Sequence, residues 1–177
     1  SVGSAARMKD VAKLVLDGEV KIVVLSAMSG TTNSLVEISN YLYKKNADGA
    51  NEVISKLEAK YTQHIDELYS TQEYKDRGME LIRERFNYIK SFTNNVFTVF
   101  HEKEILSQGE LISTGMFNLY LLECGVKSCL LPALDYMRID KNNEPDTAYI
   151  RENLRALLEK NSGYEIYITQ GYICRNS

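Results

Sequence analysis

Apolar positions along the chain switch between two periods. Met8, Val11, Ala12 and Val15 recur at helical spacing until Asp17-Gly18 ends the pattern, and Ser1 is the expected N-cap of this helix. Ile22, Val23, Val24 and Leu25 then form an unbroken apolar run, which predicts a strand covered on both faces of a mainly parallel sheet. From Ser34 the helical spacing returns through Leu35, Ile38 and Leu42. Two further helical patterns, Val53 to Leu68 and Met79 to Ile89, predict an antiparallel pair joined near Ser70 to Gly78. A helix from about Phe97 to Glu123 follows, with an expected interruption or restart at Ser107 to Glu110. Ser128 to Ala133 reads as a short strand and Tyr136 to Pro145 as a polar turn. Asp146 then caps a helix carrying Ile150, Leu154 and Leu157, which Gly163 closes. YEIYITQGYIC is rich in β-branched and aromatic residues around Gln170-Gly171, so it predicts a strand ending in a turn or bulge. This order indicates an α/β sandwich with a parallel core and a helical block in the middle. The runs Ile22 to Leu25, Leu130 to Ala133 and Ile166 to Ile168 are expected to pair in one sheet with helices on both faces.

Three polar clusters lie at element junctions: Ser26 to Asn33, Ser107 to Thr114, and Thr169 to Tyr172. The first sits where a strand passes into a helix, the usual ligand position of open α/β sheets. Taken singly, each also has a plain structural reading. Ser29 and Thr31 would cap the following helix, Glu110 would be an exposed first-turn acid, and Thr169-Gln170-Gly171 would be only a turn.

Composition narrows the function classes. The 177 residues suit one domain or a large piece of one, and 44% hydrophobic residues suffice for a core. A formal charge of −3 without a basic face argues against a phosphate-backbone binder, so no nucleic-acid partner is expected. Cys124, Cys129 and Cys174 are odd in number and lack CxxC spacing, which suggests neither a disulfide framework nor a zinc site. His64 and His101 lack partner spacing on their helices, and the twelve tyrosines read mostly as packing residues. No apolar run reaches the roughly 20 residues that span a bilayer, and SVGSAARMKD lacks a signal peptide's apolar segment, so a cytoplasmic protein without membrane contact is expected. A start at Ser1 and an end just after an apparent strand suggest a fragment.

In this order and spacing, SVGSAARM, VVLSAMSGTTNSLV, SQGELIST and ITQGYI, with the turn before Glu144-Pro145-Asp146, resemble the aspartate kinases of the amino acid kinase family. The resemblance implies a three-layer α/β/α sandwich in which residues 1–177 form the amino-terminal, aspartate-binding part of the kinase domain. It implies transfer of the γ-phosphoryl group of ATP, with Mg2+, to the β-carboxylate of L-aspartate, the first step toward lysine, threonine and methionine, in an enzyme that is a homo-oligomer when complete. By position, Ser26 and Thr32 would contact aspartate and Glu110 would pair with its α-ammonium, while Ser1, Gly30, Asn33, Gln170, Gly171 and Tyr172 would line the site. No catalytic residue and no metal ligand is assigned in this chain. The lysine of the family's KFGGTSV element, its GRGGSDYTA arginine, its nucleotide lobe and its regulatory ACT domains do not occur among these residues. The expectation is therefore a catalytically incomplete piece. Sibling kinases acting on glutamate, acetylglutamate, carbamate or uridylate are the nearest alternative, and SQGELIST and Thr32-Asn33 speak against them. A different class is a helical association module built on Ala50 to Phe100.

Overall fold

The computed structural model describes residues 2–177, and the expected cap and site residue Ser1 lies outside the described residues. Helix α1, Ala5–Val15, is capped by Ser4, whose Oγ accepts the Arg7 amide at 3.2 Å. Strands β1 (Lys21–Leu25), β2 (Ser128–Leu130) and β4 (Ile166–Gln170) form a parallel sheet in the order β1-β4-β2. The three predicted apolar runs thus pair in one parallel sheet. The middle one is shorter than expected, because Pro132 lacks an amide and Ala133–Asp135 turns into a single 3-10 turn. Two strands escaped the sequence pattern: β3 (Arg138–Ile139) and β5 (Arg175–Asn176), which pair parallel in a second small sheet. Two residues are too few to show a period.

Helices α2 (Thr31–Tyr43), α3 (Ala47–Leu68), α4 (Gln72–Ser91) and α5 (Val99–Glu123) cover one side of the main sheet. The α3 to α4 corner is tighter than predicted, with Thr71 capping α4 and Gly78 buried inside it. Ile54, Leu57, Ile65, Ile82, Phe86 and Ile89 of this pair are buried together with Ile166 and Ile168 of β4. Burying side chains of this size stabilises by roughly 1.5 to 3 kcal/mol each. The apolar faces of the α3 to α4 pair are therefore used inside the fold, whereas Val96, Val99 and Phe100 at the end of this block stay exposed.

On the opposite side of β4, Tyr167 packs with Leu131 and Tyr136 against Ile150, Leu154 and Leu157 of α6, Thr147–Lys160. The expectation that β1 is covered on both faces fails. Val23 and Leu25 are buried, whereas Ile22 and Val24 are 43% and 62% exposed, because β1 is an edge strand and α6 packs over β4 and β2. An unbroken apolar run does not distinguish a doubly covered strand from one whose second face is open. Helix α5 runs without the predicted break. Gly109 sits in its middle at a close approach, where a Cβ would lie 2.8 Å from the Cβ of Ala27.

Candidate functional site

The turn after β1 is closed by the Thr31 amide donating to the Met28 carbonyl at 3.1 Å. Gly30 takes φ 79, a left-handed conformation that a residue with a Cβ adopts only with strain, and it serves as the N-cap of α2 without a side-chain bond. Met28 is buried and plugs the turn into the core. Ser26, Ser29, Thr32 and Asn33 stand exposed around it at the carboxyl end of the sheet. The capping reading of Thr31 fails. Its buried hydroxyl pairs with the buried Tyr61 hydroxyl of α3 at 2.6 Å, and burial pushes the Tyr61 pKa up to about 12, so that group stays neutral.

Two neighbouring helices hold this turn. From α5, Ser113 Oγ donates to the Ser26 carbonyl at 2.7 Å, and Glu110 Oε1 accepts the Ala27 amide at 3.3 Å. Glu110 is 6% exposed and lies three turns into α5, so it is not the exposed first-turn acid of the plain reading. Burial raises its carboxyl above the usual carboxylate range, against the lowering effect of its backbone hydrogen bonds, the Ala27 amide among them. From α3, Lys60 Nζ donates to the Ser29 carbonyl at 3.0 Å. Nothing in the spacing of an amphipathic helix marks Lys60 or Tyr61 as partners of a turn some thirty positions earlier.

The third cluster reaches the same end of the sheet by another route. Gly171 donates its amide to the Leu25 carbonyl at 2.9 Å, tying the end of β4 to the end of β1. The Gln170 side chain is buried, accepting the Ala133 amide at 2.8 Å and donating to Thr114 Oγ1 at 3.0 Å. Thr114 in turn donates to the Glu110 carbonyl at 2.7 Å. Gln170 thus braces α5 against the segment after β2. Tyr172 is 85% exposed with φ 67. It borders a groove of about 520 Å3 whose walls include Leu106, Leu111, Pro132, Leu134 and Ile173. Ser26, Thr32 and Glu110 do not line that groove.

His101 takes part in a cap, its Nδ1 accepting the Thr98 amide at 3.1 Å. His64 lies half-buried beside Tyr61, and burial lowers its pKa. Burial raises the Cys129 thiol, which disfavours a reactive thiolate. No helix among the described residues is long and apolar enough to cross a membrane.

No protein-family model and no curated protein matches the sequence. Solved structures do. All of the chain matches E. coli aspartokinase III in complex with aspartate and ADP, in the R-state, at TM-score 0.79 and 27% identity. The same figures hold for that protein in complex with lysine and aspartate, in the T-state. Clostridium acetobutylicum aspartate kinase matches over 99% of the chain at TM-score 0.72, with 14% identity, a likeness of fold alone. The chain spans 40% of the length of the E. coli protein and 38% of the Clostridium one. Together with VVLSAMSGTTNSLV, SQGELIST and ITQGYI, this likeness identifies the chain as aspartokinase-like over its whole length.

Proposed function

We propose that this chain is the amino-acid-binding part of a cytoplasmic aspartate kinase, which moves the γ-phosphoryl group of ATP onto the β-carboxylate of L-aspartate to give 4-phospho-L-aspartate. The observation that carries the reading is the exposed hydroxyl turn Ser26 to Asn33 held against the Glu110 carboxylate, in a chain similar throughout to a protein whose structure contains aspartate and ADP. A carboxylate with a pKa near 4 is already ionised at neutral pH and needs no general base. The enzyme's task is to align two anions and to neutralise charge as the phosphoryl group moves. In this reading Ser26 and Thr32 hydrogen-bond the substrate, and Glu110 pairs with its α-ammonium. Gly30, Asn33, Gly171 and Tyr172 line the site. Gln170 supports it from behind, since both ends of its amide are engaged.

The positive charge facing the phosphoryl group is assigned to the lysine and arginine segments that complete aspartate kinases have beyond these residues. Among the described residues no group of three or more His, Cys, Asp or Glu forms a metal cage, so magnesium would accompany the nucleotide and has no ligand assigned here. In the complete enzyme the open face of β1 would be covered, giving the three-layer sandwich. The test is phosphorylation of a panel of acids by the complete enzyme with ATP and magnesium, trapping acyl phosphate as the hydroxamate. Aspartate is expected to be the preferred acceptor. Equal or faster reaction with glutamate, acetylglutamate, carbamate or uridylate overturns the assignment.

A further inference from the structure

The turn that presents the hydroxyls has no cap of its own, yet it is fixed from below on both sides of its one left-handed residue. Before Gly30, the Ser29 carbonyl accepts Lys60 Nζ at 3.0 Å. After it, Thr31 Oγ1 shares a 2.6 Å hydrogen bond with Tyr61 OH. Consecutive helical residues point about 100° apart, so neighbours on α3 can reach two different points of one loop. Thr31 and Tyr61 are each 1% exposed, and this bond is what satisfies both buried hydroxyls. Lys60 is exposed and its ammonium lies against the turn, 3.5 Å from where a Cβ on Gly30 would stand.

We propose that Lys60 and Tyr61 are positioning residues that grip the turn on either side of Gly30 and hold its outer hydroxyls in the shape that receives a carboxylate. This rests on the function proposed above, and it assigns to α3 a role in amino-acid recognition without contact with the ligand. Thr31 faces inward and Thr32 outward. The Tyr61 bond therefore sets the direction in which the next hydroxyl leaves the helix. Lys60 sets the orientation of the peptide before Gly30, the point about which the turn could otherwise swing.

Three variants separate positioning from packing: Tyr61→Phe, the pair Tyr61→Phe with Thr31→Val, and the surface change Lys60→Met. In the 177-residue chain, amide hydrogen exchange over residues 26–33 should quicken about tenfold in Tyr61→Phe and in Lys60→Met. In the complete enzyme, each should raise KM for aspartate about tenfold while KM for ATP and kcat stay within about twofold. The double variant removes both polar atoms, so no buried hydroxyl is left unpaired and the melting temperature should recover. Exchange and KM for aspartate should not recover with it. Unchanged exchange in the single variants overturns the proposal, as does a double variant whose KM returns together with its stability. If the wild-type enzyme does not phosphorylate aspartate, the functional reading falls on its own account, and exchange in the isolated chain still decides whether the grip exists.

Discussion

Glu110 uses one carboxylate for two purposes: it fastens the Ala27 amide, and in the proposed function it receives an ammonium. Burial raises its pKa, so between the ordinary carboxylate range and the raised value the folded chain holds more protons than the unfolded one. Stability from this group is therefore present at low pH and lost as pH rises through the raised value. Glu110→Gln should melt higher than wild type at neutral pH, and the gain should vanish as pH falls below the ordinary carboxylate range. A lower melting temperature at pH 7 would show that the charged contact outweighs its burial. The same variant should lose aspartate use by a similar factor across neutral pH, since no proton transfer is assigned to it. Thr32 is exposed and caps nothing, so Thr32→Ala should leave folding nearly unchanged. It should weaken aspartate binding or turnover by roughly 1.5 to 3 kcal/mol, the loss of a hydrogen bond to an ionised group. If the domain melts and the folded fraction keeps its kinetics, Thr32 is structural. Glu110 and Thr32 could be singled out in the sequence because they stand in recognisable motifs. The burial of Glu110 was not legible, because its amide partner lies 83 positions away. The proposed roles of Lys60 and Tyr61 carried no signal, since they depend on what α3 packs against; Tyr61 read only as an apolar position of the helix.

At the scale of elements, the informative error is the break expected in α5. Glycine lowers helix propensity by about 1 kcal/mol relative to alanine, and beside polar residues it suggests a boundary. The helix continues because packing overrides that preference, and at Gly109 the β1 to α2 turn comes close enough to leave little room for a Cβ. Gly109→Ala should gain roughly 1 kcal/mol in propensity but force its methyl group onto Ala27, 2.8 Å away, at an overpacking cost of about 1 to 3 kcal/mol. Net destabilisation by thermal melting is expected, with disturbed exchange in the turn. Gly115 is the control on the same helix. The atoms nearest its added Cβ belong to the Leu81 side chain, the first a methyl carbon at 2.8 Å that can turn aside, so Gly115→Ala should be nearly neutral or slightly stabilising. Equal losses at both sites would mean that the glycines share a general packing role and that the turn has no special claim on Gly109. Helices were legible from their period and core strands from their apolar runs, whereas the pairing of β3 with β5 depends on contacts between short segments far apart in the chain.

For the molecule as a whole, the order of elements showed a parallel α/β core, because helices between strands leave room only for crossover connections. Coverage was less legible: the same apolar run at Ile22 to Leu25 fits an edge strand with one open face. The extent of the chain then bears on chemistry. Its 177 residues span 40% of the length of E. coli aspartokinase III. Among the described residues the proposed site offers hydroxyls, one carboxylate and, nearby, the ammonium of Lys60, which is already engaged with a carbonyl. Moving a phosphoryl group between two anions needs more positive charge than that, held in line with the acceptor. The 177-residue chain with ATP, magnesium and aspartate is therefore expected to form no detectable aspartyl phosphate and to bind aspartate weakly at best. The comparison is with the complete enzyme under identical conditions, after the mass of the chain has been confirmed. Turnover within about tenfold of the complete enzyme, a difference of only ~1.4 kcal/mol in barrier, would place the charge-neutralising groups inside these residues. Lys60 would then have to be reassigned from gripping the turn to contacting the transferred group.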